Sequence, residues 1–158
     1  MPRRRSHLIP AAVAAALALA LATGVVASQT RNFVTPMSGG EEVPANDSRA
    51  RGTAIFHLSP DGTELSYQVM ASNIHNVHMA HIHLAPQGVN GGIVVWLFPS
   101  TAVGPPGPLG AGRQDGVLMT GTITAANLTG SLLGQSLSAL VDQIVAGNAY
   151  VNVHTNDG

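Results

Sequence analysis

Four of the chain's seven histidines fall within nine residues, His75-Asn76-Val77-His78-Met79-Ala80-His81-Ile82-His83. Neutral imidazole is the commonest side-chain metal ligand and titrates near physiological pH. The inner part, Ala80-His81-Ile82-His83-Leu84, alternates apolar residues with histidine. Successive side chains of an extended strand point to opposite faces. Ala80, Ile82 and Leu84 are therefore expected to face a core, while His81 and His83 stand one strand repeat apart on the other face. Two imidazoles so placed make half of a metal site. Near the C-terminus, Tyr150, Asn152 and His154 share a face opposite Ala149, Val151 and Val153, which offers His154 as a third ligand. His78, or His75, is a further candidate from the connection before the histidine strand. Three imidazoles suit Cu(II) or Zn(II), and chemistry would need an open coordination position. The competing reading is structural. Imidazoles bonded to backbone or to Asn152 would hold the turn at residues 85–92, because buried polar groups need partners.

Other chemistry-bearing residues form no comparable set. Glu41 and Glu42 are adjacent, and neighbours in an extended chain point apart. They make a poor acid–base pair, and one of them is expected to tie down the N-terminal segment by hydrogen bonds. Tyr67 and Tyr150 read as core or rim aromatics, and His57 as a surface histidine. No Ser-His-Asp order with a nucleophile elbow occurs, and no phosphate-binding loop. Asn46-Asp47-Ser48 and Asn127-Leu128-Thr129 match the short N-glycosylation pattern.

The elements that must position these histidines are short strands. Residues 33–37 read as an extended piece kept at an edge by Pro36. Residues 53–58 and 64–69 form a hairpin about the turn Ser59-Pro60-Asp61-Gly62. Residues 71–77 read as a connection. The continuous apolar run Ile93-Val94-Val95-Trp96-Leu97-Phe98 predicts a strand buried on both faces. Residues 99–116 read as a Pro/Gly loop, and residues 117–124 as another strand. Leu137, Leu140, Val141 and Ile144 fall at helical spacing, with Ser136 to cap the start and Gly147 placed to end the helix. Many short strands with one late helix predict an all-β fold, an antiparallel Greek-key sandwich or barrel.

Residues 1–27 read as a secretory signal peptide: Arg3-Arg4-Arg5, an uncharged Ala/Leu-rich run, then small residues ending at Ala27. An uncleaved segment would instead anchor the chain in a membrane. Residues 28–32 form a polar leader. Cleavage removes three of the seven arginines and leaves four against eight acidic residues, a net charge of −4, with no lysine. Nucleic-acid binding needs clustered positive charge, which is missing here. There is no cysteine, so the exported domain must hold together without disulfides.

Ser38-Gly39-Gly40-Glu41-Glu42-Val43-Pro44, Gly52, Asp61-Gly62, Ala80-His81-Ile82-His83, Asn90-Gly91-Gly92, Ile144, Ala146-Gly147 and Tyr150-Val151-Asn152-Val153-His154-Thr155 occur in this order. Together they resemble the chordin-type (CHRD) domain over residues 33–158. The family is named for repeats in an extracellular antagonist of bone morphogenetic proteins, and it also occurs as single secreted domains in bacteria. The resemblance implies a superoxide-dismutase-like or immunoglobulin-like sandwich in an extracellular or periplasmic protein, with a non-catalytic role in binding a partner or in the envelope or matrix. It also implies a closing strand after the His-Thr turn; the sequence given stops at Gly158, so either it is truncated there, the simpler expectation, or the domain is without that strand. The His-X-His strand and the later Val-His are similar in layout to copper–zinc superoxide dismutases. That similarity would give His81, His83 and His154 to copper, but the loop at 99–116 has no histidine for zinc. Two expectations therefore stand beside the non-catalytic one: a copper- or zinc-binding protein, and an enzyme of superoxide-dismutase type.

Overall fold

Alternating apolar and polar residues produce seven strands among the described residues, which in this computed structural model are 31–99, 109 and 111–156. The strands are β1 (Asn32–Ser38), β2 (Arg51–Leu58), β3 (Leu65–His75), β4 (Val77–Leu84), β5 (Gly92–Phe98), β6 (Arg113–Ile123) and β7 (Ala149–Thr155). A single helix, α1 (Leu137–Val145), precedes β7. One antiparallel sheet has the order β1-β2-β3-β6, and the other has β5-β4-β7. The two sheets pack as an all-β sandwich and do not close into a barrel. Most of the leader, the expected signal peptide, most of the Pro/Gly loop and residues 157–158 lie outside the described residues.

The hairpin of β2 and β3 forms as the sequence requires, with Leu65, Tyr67 and Val69 buried. Two boundaries differ from expectation. Residues 71–75 continue β3 instead of forming a connection, and β6 begins at Arg113 inside the expected loop. The two extensions pair with each other, Ile74 with Gln114 and His75 with Arg113, across an irregularity in register. Asn73 takes a positive φ of 55° there, and its backbone N–H donates to Asp115 Oδ1 at 2.7 Å. Polar Ser72 and Asn73 hid this strand from a reading based on alternation.

Helix α1 buries Leu137, Leu140 and Val141 in the core, the stripe its spacing dictates. Ser136 occupies the N-cap position, but its hydroxyl bonds Ser138 at 2.8 Å and makes no cap bond. Gly147 follows the helix with φ +74°, a backbone conformation that favours glycine.

The sheets are joined across the core by a polar contact. Tyr67 of β3 donates its buried hydroxyl to the Leu97 carbonyl of β5 at 2.9 Å. The Tyr67 ring lies over Gly121, its register partner on β6, where a Cβ would come within 2.7 Å of ring carbons. Replacing Tyr67 with Phe leaves the Leu97 carbonyl unpaired in the core. The expected loss is about 1–2 kcal/mol, read from the urea midpoint at unchanged slope.

Candidate metal centre

Strand β4 lies in the middle of its sheet, hydrogen-bonded to β5 on one side and β7 on the other. Val77, Ala80 and Ile82 enter the sandwich core. On the opposite face the register sets His81 beside Trp96 of β5 and Asn152 of β7, and His83 beside Tyr150 of β7. His154 pairs with Met79. Strict alternation would send His78 toward the core. A register shift between Val77 and Met79 leaves His78 as an extra residue on β4. Val77 and Ala80 both stay buried despite being three positions apart, so the bulge carries His78 to the histidine side. Its ring centroid lies 6.5 Å from that of His154.

His81, His83 and His154 converge. Their ring centroids are 5.1 Å apart for His81–His154, 5.5 Å for His81–His83 and 6.2 Å for His83–His154. One ring nitrogen from each lies within 4.8 Å of the others. Ligand bonds of about 2 Å to one ion place its nitrogens about 3–3.5 Å apart, a separation that lies inside this bound. His78 stands at the rim of this trio. His75 does not join it, being exposed at the end of β3 opposite Arg113. His57 is a surface residue, as expected, with Nδ1 2.6 Å from Asn32 Oδ1.

The imidazole nitrogens are poorly satisfied. His81 is only 2% exposed, yet neither Nδ1 nor Nε2 has a hydrogen-bond partner. His83 Nε2, His154 Nε2 and His78 Nδ1 are also buried and unpartnered. Burial holds the His81 pKa down to about 4, with the neighbouring His154, His83 and His78 opposing a further positive charge. Burial, then His83 and His78, likewise lower that of His154. Both imidazoles are therefore neutral at pH 7 and carry a free lone pair, the form in which histidine ligates metals.

His83 is oriented by the turn after β4. Its Nδ1 lies 3.0 Å from the Gly91 carbonyl, which can only accept, so Nδ1 donates there and Nε2 is the nitrogen left for a ligand. The Gly91 N–H donates to the Tyr150 hydroxyl at 3.0 Å, and the Tyr150 ring stacks on His83 at 5.1 Å and 12°. Gly91 approaches the Leu84 carbonyl so closely that a Cβ would collide with it. Trp96 abuts His81 edge-on, with centroids 4.2 Å apart at 87°. A pocket of about 360 Å³ lies alongside, lined by Glu42, Asn90, Tyr150, Asn152, His83 and His154.

The sequence pointed to the histidines but not to Trp96, Gly91 or Glu42 as members of the site. Trp96 was hidden in an apolar run, and Gly91 in a turn. Glu42 does tie down its segment, as expected of one member of the pair. It accepts a hydrogen bond from Asn152 Nδ2 at 3.3 Å. Asn152 therefore serves Glu42, while the bond holding the turn comes from His83.

The CHRD domain family model matches residues 33–158. This chain belongs to the CHRD-domain family. No curated protein and no solved structure matches the chain. The likeness of this CHRD domain to copper–zinc superoxide dismutases thus remains one of histidine layout. Among the described residues no helix is long and apolar enough to cross a membrane.

Depressed histidine pKa values make stability depend on pH in a defined direction. Unfolded histidines take up protons as pH falls through 6.5, whereas folded His81 stays neutral down to about 4. The unfolded state then binds more protons, so folding stability should fall as pH drops from about 6.5 and level off near pH 4 for this group. Urea midpoints measured across that range will show the slope, and His81→Gln should remove part of it.

Proposed function

We propose that this CHRD domain binds one copper or zinc ion through His81, His83 and His154, in a non-catalytic role outside the cytoplasm. The observation that carries the reading is His81, 2% exposed with both ring nitrogens unpartnered. Burying polar atoms without partners costs stability, and clustering four such side chains multiplies that cost. An ion coordinated by three neutral imidazoles satisfies those lone pairs and suits the donor set of Cu(II) or Zn(II). The ordinary affinity order places Cu(II) above Zn(II). The Arg-rich start and apolar run of residues 1–27, read as a signal peptide, support export, as does membership of a family named for an extracellular protein.

An enzymatic role of the superoxide-dismutase type is less well supported. Such chemistry needs an electropositive approach for an anion, yet Glu42 faces the pocket and the chain has no lysine. A second reading is a domain that binds an extracellular or envelope protein partner, its histidines serving structure. The His83–Gly91 bond, which holds the turn, favours it.

Calorimetric titration of the metal-free domain with Cu(II) and Zn(II) separates the two. The expected result is one ion per chain, bound more tightly for Cu(II). His83→Ala and His154→Ala should each weaken binding by more than the roughly 10–100-fold that loss of an outer-shell partner costs. Tyr150→Phe, which removes only the acceptor for Gly91, should fall within that smaller range. Absence of saturable binding in a folded wild-type domain, with the histidine variants merely less stable, overturns the metal reading and leaves the partner-binding one.

A further inference from the structure

Beside the histidines lies a carboxylate that the metal ligation itself does not use. The segment following β1 passes along β7, and two bonds fix it there. Asn90 Nδ2 donates to the Val43 carbonyl at 2.7 Å, tying the segment to the turn that orients His83. Asn152 Nδ2 donates to Glu42 Oε2 at 3.3 Å. Asn152 lies between Tyr150 and His154 on their shared face of β7 and opposite His81 in register. Glu42 is half-buried and lines the pocket that also contains His83 and His154. Among the described residues it has no ion-pair partner. The nearby Arg51 guanidinium donates to the Ser48 and Ala50 carbonyls, and the ion pair of the described residues is Arg113–Asp115. Glu41 does not line this pocket; it lines the neighbouring groove along β1, which Glu42 also borders.

We propose that Glu42 is the capture carboxylate of the histidine site: it draws a divalent cation into the pocket and offsets part of its charge once three neutral imidazoles hold it. The proposal rests on the metal reading above. A negative charge at the mouth of a partly desolvated pocket raises the local cation concentration and disfavours anions. Three imidazoles leave the full double charge of the ion uncompensated, and among the described residues the Glu42 carboxylate is the one formal charge lining this pocket to oppose it. Glu42 acts here as a positioning and steering residue, with no ligand bond assigned to it.

The molecule carries its own reporter. Trp96 is the chain's single tryptophan and touches His81, so Cu(II) at the site should quench its fluorescence. Stopped-flow mixing of the metal-free domain with Cu(II) would compare wild type, Glu42→Gln, Glu42→Asp and Glu41→Gln. Gln retains an oxygen that can accept from Asn152, and equal thermal midpoints will confirm intact folding. At low ionic strength Glu42→Gln should take up Cu(II) about tenfold more slowly, the low end of electrostatic steering. That difference should shrink toward unity at about 1 M salt, where the Debye length is about 3 Å. Glu42→Asp keeps the charge and should retain most of the rate, and Glu41→Gln should resemble wild type. Equal rates for wild type and Glu42→Gln at low salt overturn the proposal while leaving the histidine site standing, as does equal slowing by Glu41→Gln. A wild type that takes up no copper overturns the histidine site itself.

Discussion

Strand β4 has hydrogen-bonded neighbours on both sides and buried side chains on both faces. Its inward residues, Val77, Ala80 and Ile82, are fixed by the sandwich core. Because side chains alternate, fixing that face fixes the other, and a one-residue slip would exchange the two sets. The histidines therefore cannot move to water without dismantling the core. This constraint holds His81 in a dry position, keeps its imidazole neutral and leaves its nitrogens without hydrogen bonds.

Neighbouring elements refine what β4 imposes. Strand β7 contributes His154 and stacks Tyr150 on His83, while β5 places Trp96 against His81. The turn after β4 returns a carbonyl to His83 Nδ1 and so directs Nε2 toward the site. The bulge at the start of β4 adds His78 to the rim. Each of these devices orients a nitrogen, and none of them supplies the partner that the nitrogen lacks. A domain evolved only for packing would gain more stability from apolar residues at these positions, since unpartnered buried polar groups are costly.

Electrostatics narrow the role further. The chain has no lysine, and the pocket beside the histidines is lined by a carboxylate. A lining of that sign attracts cations and repels anions, which supports the ion-binding proposal over turnover of a charged oxygen species. The same scarcity of positive charge argues against nucleic acid as a partner.

The sequence by itself determined the all-β class, the β2–β3 hairpin, the helix stripe and the facing of His81, His83 and His154, because each depends on a local period of two or of 3.6 residues. Family membership was also legible, from ordered motifs spread along the domain. Tertiary structure alone decided the rest. Whether His154 meets His81 depends on β7 choosing β4 as its neighbour, a pairing across about seventy residues that no local pattern encodes. The bulge that turns His78, the strand hidden in residues 71–75 and the docking of Glu42 on Asn152 likewise arise from register between distant strands. Periodicity says which face a side chain takes, but only the packed sheets say what stands opposite it.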